Sequence, residues 1–130
     1  MVSKICVDPG HGMSNRKAGR YDPGAGHEEN GVKYEEATIA LQYGLTLRAE
    51  LQARGKSVFM TRDDATDHAP VGQRAANAKK VGCDMLISLH LNDFDGNRGK
   101  TTGTAAFFSC TDSASWTLCI MCRRRPPFPR

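Results

Sequence analysis

Two histidines stand where short β-prone runs end. His11 follows Ile5-Cys6-Val7-Asp8-Pro9-Gly10 and precedes Gly12, while His90 closes Met85-Leu86-Ile87-Ser88-Leu89. Pro and Gly bend the chain after the first run, and open α/β sheets take their ligands at the carboxyl ends of their strands. An imidazole at each of two such ends points to a metal site. A catalytic zinc commonly has three protein ligands and leaves one position to water, and two His with one Glu is a recurrent set. The carboxylate has to come from a neighbouring element. Glu35 and Glu36 open a long helical stretch, and either is available. Glu36 heads a stripe through Ala40, Tyr43, Leu47 and Leu51, an apolar helix face. Glu35 heads the more polar stripe Ile39, Gln42 and Thr46. A carboxylate leading a core-facing stripe is expensive to bury unless a cation meets it, and zinc would meet it. The residues therefore propose His11, Glu36 and His90 as metal ligands, with Glu35 as the alternative acid and His27 in reserve. Taken singly, each has a plainer reading. The helix dipole favours a Glu in the first turn, and a histidine can simply order a turn or end a strand. His27 and His68 lie in polar, acidic segments and read as solvated.

The surrounding pattern supplies elements to hold such a site. The chain has 130 residues, enough for one domain with a real core but near the lower end for a parallel sheet flanked by helices. Residues 4–7 read as a strand, and 12–31 as a Gly-rich loop long enough to be functional. Residues 36–54 read as a helix stopped by Gly55, 57–61 as a strand, and 71–80 as a second helix. Residues 84–89 and 103–108 read as further strands. This alternation implies an α/β fold with a mainly parallel, twisted sheet and helices on its faces.

Hydrophobic residues make up 39% and charged residues 25% of the chain, an ordinary globular balance. The net charge of +4 suits an anionic partner, whether wall polymer or nucleic acid, and selects neither. No apolar run approaches the roughly 20 residues of a membrane span, so no membrane partner is expected. Met1-Val2-Ser3-Lys4 leads straight into the first strand, which reads as synthesis in the cytoplasm without a signal peptide. The five cysteines lack framework spacing. Cys6 and Cys83 read as small buried hydrophobes. Cys119-x-x-Cys122 has no second pair and no βαβ context, so it reads as neither a metal nor a redox motif. After Asp112 no acidic residue occurs, Arg123, Arg124 and Arg125 stand in a row, and Pro126, Pro127 and Pro129 follow. Residues 115–122 are apolar without a helix or strand period, and 111–130 read as a disordered tail. An arginine row raises the possibility of nucleic-acid contact, but no base-reading motif accompanies it, so no nucleic-acid partner is expected.

These same residues carry a family resemblance. Ile5-Cys6-Val7-Asp8-Pro9-Gly10-His11-Gly12 resembles the opening signature of the zinc-dependent N-acetylmuramoyl-L-alanine amidases, the Amidase_3 family of cell-wall hydrolases. The likeness continues in order. It runs through Glu36 at the head of the first long helix, Gly55-Lys56-Ser57-Val58-Phe59-Met60-Thr61-Arg62, and Arg74 with Ala76-Asn77. It then takes in Leu86-Ile87-Ser88-Leu89-His90-Leu91-Asn92, and Gly103-Thr104 with Phe107-Phe108. It spans about residues 4–108. It implies the zinc-amidase fold (phosphorylase/hydrolase-like) and a Zn2+ cofactor on His11, Glu36 and His90, with Ser88 or Asn92 orienting a ligand or substrate. It further implies peptidoglycan as partner, cleavage of the amide between the muramic acid lactyl group and L-alanine by a zinc-activated water, and action on the cell wall. Phage and prophage endolysins of this family are often single compact domains, so a lytic role on a host wall fits. The resemblance fixes no oligomeric state.

One departure qualifies the expected activity. Family members use a further glutamate late in the domain as general base and acid, and this sequence has no glutamate after Glu50. The likeness also fades near Cys110, which reads as a partial catalytic domain over 1–110, its carboxyl-terminal part missing, followed by a non-family tail over 111–130. No catalytic base is thus identified. Asp93, Asp95 and Asp112 are available, but their spacing recommends none. Losing a positioned acid–base group lowers rates by about 10²–10⁴-fold. The alternative is a non-catalytic, zinc-bound remnant that binds or regulates the wall.

Overall fold

The computed structural model describes residues 2–13, 20–91, 103–109 and 116–123, the last two segments as backbone. Strand β1 (Lys4–Pro9) is followed by a hairpin of β2 (Gly26–Glu29) and β3 (Val32–Glu35), and then by helix α1 (Glu36–Ala53). Next come β4 (Ser57–Met60), α2 (Val71–Lys80), β5 (Met85–His90), β6 (Gly103–Ser109) and β7 (Trp116–Arg123). The main sheet has the order β4-β1-β5-β7-β6. β1 pairs in parallel with β4 and β5, β5 pairs in parallel with β7, and β6 runs antiparallel to β7. The sheet is mainly parallel, and the hairpin stands apart as a second, two-stranded sheet.

β1 lies inside the sheet, α1 covers one of its faces and Arg74 of α2 reaches the other, and its run Ile5–Pro9 is buried throughout. Such strands are near-continuously apolar rather than alternating. Ile5, Val7 and Ile87 form the core, with Leu47 and Leu51 of α1, Val58, Met60, Met85 and Leu89 packed against them. Helix α1 packs on β1, β4 and β5. Its approach is closest at Gly44, where a Cβ would stand 2.6 Å from Pro9 Cγ. Glycine weakens a helix interior by about 1 kcal/mol, and here it is what lets the helix seat on the strand. On the opposite face, Asp8 meets Arg74 from α2, so the two helices flank the two faces of the sheet.

The structure departs from the sequence reading in four places. The segment 12–31 is not all loop, because β2 and β3 pair through Asn30 and Gly31, both at positive φ. Tyr43 is 41% exposed, and the buried stripe of α1 instead runs through Glu36, Ala37, Ala40 and Gly44. Trp116–Arg123 forms strand β7 instead of belonging to an unstructured tail. Its composition hides this, because Trp116-Thr117-Leu118-Cys119-Ile120-Met121-Cys122 does not alternate apolar with polar residues. Strand ends shift as well, with β1 reaching Pro9 and β5 reaching His90 beyond expectation and β4 stopping at Met60 short of it. Cys6 and Cys83 are free thiols, and burial pushes the Cys6 thiol up to about 12, which makes it unreactive. Among the described residues, no helix is long and apolar enough to cross a membrane.

Candidate metal centre

Register brings the two histidines to one edge of the sheet. Pro9 stands opposite Leu89, and the Gly10 N–H donates to the Leu89 carbonyl at 2.9 Å. The β1–β5 pairing thus continues up to His90 and delivers His11 beside it. The two imidazoles meet edge to face, with centroids 4.9 Å apart. The third member arrives from α1. The N–H groups of Glu36 and Ala37 donate to the carbonyls of Ala25 and Pro23, satisfying two of the helix's unpaired amino-terminal donors. This pins the helix start beside the segment that follows β1.

His11, Glu36 and His90 then face one another. His11 Nε2 lies 3.1 Å from Glu36 Oε2, His90 Nδ1 lies 3.0 Å from Glu36 Oε1, and the two ring nitrogens are 3.2 Å apart. A tetrahedral zinc with bonds of about 2.0–2.1 Å has donor–donor edges of about 3.3–3.4 Å. Each imidazole faces its own oxygen of Glu36, one donor atom from each of the three residues lies within 4.8 Å of the other two, and two nitrogens with one carboxylate are donors that zinc accepts. The space around it is shaped as well. Gly24 has φ +68, and a Cβ there would fall 2.7 Å from both Glu36 Oε2 and His11 Cδ2.

Supporting groups orient each donor. His11 Nδ1 donates to Asp22 Oδ2 at 2.9 Å, the carboxylate–histidine arrangement that aims the other ring nitrogen at a metal. Glu36, 3% exposed, accepts the Ala25 N–H on Oε2 and the Leu91 N–H on Oε1, each at 2.8 Å. Burial alone would raise the Glu36 carboxyl, but hydrogen bonds from His11, His90 and these two amides outweigh it and hold Glu36 far below the usual range. The Glu36 hydrogen bond raises His11. Burial lifts Asp22, yet the bonds from His11 and the Gly24 N–H prevail and keep it low. The site therefore carries two ionised carboxylates facing imidazole, a cation-seeking arrangement.

The other sequence candidates lie elsewhere. Glu35 pairs with Lys33 Nζ at 2.7 Å and accepts from the Tyr21 hydroxyl at 3.0 Å, away from the imidazoles. His27 stacks on Tyr34 in the hairpin, with centroids 5.0 Å apart, and is not part of the cluster. Ser88 donates to Asp8 Oδ2 at 2.7 Å. Asn92, Asp93, Asp95 and Asp112 fall outside the described residues. In a second acidic group, Asp63, Asp64 and Asp67, Asp64 and Asp67 accept backbone N–H groups of their own loop, ordinary turn chemistry, and Asp63 meets Arg48. Sequence reasoning missed Asp22 and the two buried arginines, Arg62 and Arg74. Asp22 carried a signal, since Asp-Pro-Gly punctuates the loop already marked as functional. The arginines entered only as members of the family-like motifs, and their burial was not legible, because residue type does not tell a buried guanidinium from a solvated one.

Comparison with known proteins places these features in a family context. The sequence profile of Amidase_3, described as N-acetylmuramoyl-L-alanine amidase, matches residues 5–124. The N-acetylmuramoyl-L-alanine amidase AmiC of Neisseria meningitidis serogroup B is 30% identical over 108 residues, covering 79% of this chain and 26% of that protein. The sporulation-specific N-acetylmuramoyl-L-alanine amidase of Bacillus subtilis is 34% identical over 95 residues, covering 72% of this chain and 32% of that protein. The chain thus spans about a quarter to a third of the length of these two relatives. Among solved structures, an N-acetylmuramoyl-L-alanine amidase from Clostridium difficile superposes with a TM-score of 0.68 at 26% identity, covering 86% of this chain and 55% of that one.

Proposed function

The chain belongs to the Amidase_3 family of N-acetylmuramoyl-L-alanine amidases, and from that premise we propose that it carries the zinc-binding half of a peptidoglycan amidase site. His11, Glu36 and His90 are the ligands, and the substrate is the amide joining the lactyl group of N-acetylmuramic acid to L-alanine. The observation that carries this reading is the convergence of two imidazoles, 3.2 Å apart nitrogen to nitrogen, on the two oxygens of Glu36 at 3.1 and 3.0 Å, from residues far apart in the chain. When bound, Zn2+ supplies Lewis acidity, polarising the amide carbonyl and bringing the pKa of a water ligand toward neutrality. The chain's own residues do the rest of what these 130 residues can do. Asp22 keeps the His11 Nδ1 proton in place and leaves Nε2 as the donor. The Ala25 and Leu91 amides hold both oxygens of Glu36, so the carboxylate stays ionised and directed.

Proton transfer is the weaker half. An amide hydrolysis needs a base to take the proton of the attacking water and an acid to return it to the departing amine. No glutamate follows Glu50, so the family's late acid–base group has no glutamate counterpart in this sequence. Hydrolysis by these 130 residues is expected to run about 10²–10⁴-fold below that of a chain carrying such a group. That same observation favours one second reading, a zinc-bound protein that binds or regulates the wall without cutting it. Metal content does not separate the two readings, whereas wall clearing does.

Metal analysis of the purified chain beside Glu36→Ala and Glu35→Ala tests the ligand set. One zinc per chain in the native protein and in Glu35→Ala, with loss in Glu36→Ala, is expected. Retention by Glu36→Ala would remove the reading. Turbidity of purified cell walls, followed with this chain and with one extended by a family-like carboxyl end, separates slow hydrolysis from none. Equal rates from the two would show that the late glutamate is dispensable.

A further inference from the structure

His11 holds φ 60, one of two non-glycine residues at positive φ among the described residues. The other, Asn30, sits in the hairpin turn, where Asn is at home. Histidine enters the left-handed region more often than most side chains, but His11 lies outside any hairpin turn, and the conformation still strains an L-residue. Something must hold it there. Arg74, 5% exposed, donates through Nη2 to the His11 carbonyl at 2.7 Å and through Nη1 to the Pro9 carbonyl at 2.7 Å. Its Nη1 also meets Asp8 Oδ1 at 2.8 Å, and its Nε donates to the Ala69 carbonyl at 2.8 Å. Arg62, 2% exposed, donates through Nε to Pro9 at 3.0 Å and through Nη2 to Gly10 at 2.8 Å. The same Nη2 reaches Ala37 at 2.7 Å. Three successive carbonyls, those of residues 9, 10 and 11, are thus each held by a buried guanidinium. Arg62 also ties this bend to the residue after Glu36.

Buried cations are a poor route to stability, because well-packed apolar residues of similar volume often do as well or better. A guanidinium offers direction instead, several donors in a rigid planar fork. We propose that Arg62 and Arg74 are positioning residues of the metal centre: by gripping the carbonyls of Pro9, Gly10 and His11, they fix the left-handed backbone that aims His11 Nε2 at Glu36 and His90. The inference rests on the reading of those three residues as zinc ligands. It adds that the grip, separate from fold stability, sets metal affinity.

The test uses the full chain with Arg62→Lys and Arg74→Lys, each keeping a cation but losing the fork, beside Ile87→Val in the apolar core. Folding is verified by a cooperative melt. Zn2+ affinity is then read by competition with a chromophoric chelator, and ligand geometry from the visible absorption of the Co2+-loaded protein. The two lysine variants, folded, should bind Zn2+ about 10–100-fold more weakly, as removal of outer supports of metal ligands does, with an altered Co2+ spectrum. Ile87→Val should change neither. Native affinity and spectrum in the folded lysine variants would overturn the proposal, as would an equal loss in Ile87→Val. If the lysine variants do not fold, Ser88→Ala decides. Combined with Thr61→Val, it strips both hydroxyl donors from the Asp8 carboxylate that braces Arg74 while leaving both guanidiniums in place, so a few-fold loss of affinity supports the grip and no loss refutes it. A His11→Ala chain that keeps native Zn2+ affinity would instead overturn the ligand reading itself, and this inference with it.

Discussion

Strand β1 has two faces that are held by different physics. Ile5 and Val7 meet apolar side chains of α1, β4 and β5, and such contacts depend on area and shape rather than direction. Asp8, the next residue, accepts from Thr61 Oγ1 at 2.6 Å, Arg74 Nη1 at 2.8 Å and Ser88 Oγ at 2.7 Å. On that face every bond has a fixed partner, and losing one leaves a buried group unsatisfied. No buried polar side-chain atom lacks a partner among the described residues, so the network closes. The apolar face can absorb small changes of volume. The polar face has little slack, and it is the one that runs into His11. The domain has its adaptable packing where shape suffices and its directional bonding where a donor atom must be aimed.

Substitutions of graded size test this contrast. Arg74→Ala, which takes the cation from the buried Asp8 carboxylate, should destabilise the chain by about 3–5 kcal/mol in urea denaturation. A loss no larger than that of an apolar trimming would dissolve the difference between the faces. Gly44→Ala adds a methyl 2.6 Å from Pro9 Cγ. Despite the better helix propensity it should cost about 1–3 kcal/mol by overpacking, and a gain in melting temperature would mean that α1 can slide away from β1. Ile87→Val should cost only about 0.5–1.5 kcal/mol and leave metal content unchanged.

The smallest effect belongs to the amino end of the strands. There Asp84 Oδ2 accepts the Ser3 and Lys4 N–H groups at 2.8 Å each. Those backbone bonds, from Lys4 first and then Ser3, lower its carboxyl. A carboxyl lowered by folding contributes stability above its unfolded pKa and loses it as pH falls through the folded value. The small difference in urea midpoint between the native chain and Asp84→Asn should thus be present near neutrality and fade in acid below about pH 4. A difference that grows toward acid would show that Asp84 is not held in its ionised form.

Much of this architecture is readable before folding, and the failures have identifiable causes. Helix α2 stands at residues 71–80 as expected, because Pro70 and Gly82 bracket it and its polar face is clear. The β2–β3 hairpin was readable but passed over. Asn30-Gly31 is the dipeptide that a type I′ turn demands, set in a segment whose polar surroundings masked its pairing. β7 gave no usable signal, since Trp116–Arg123 does not alternate and it pairs in parallel with β5 across the intervening β6. Tyr43 misled in the other direction. Helical phase put it on the inner stripe, while the helix seats on β1 through Ala40 and Gly44 and leaves Tyr43 at the margin of the buried face, 41% exposed.

By itself the sequence offered side chains chemically suited to hold a metal, and helical phase favoured Glu36 over Glu35, because side-chain type and periodicity are local properties. Only the tertiary structure decided that His11 and His90 meet, since that depends on the pairing of Pro9 with Leu89 across about 80 residues of chain. It also decided that Asp22 backs His11 and that Arg62 and Arg74 lie buried beneath it. Burial and cross-strand register come from long-range packing, and nothing in the residues flanking an arginine records which carbonyls it will hold.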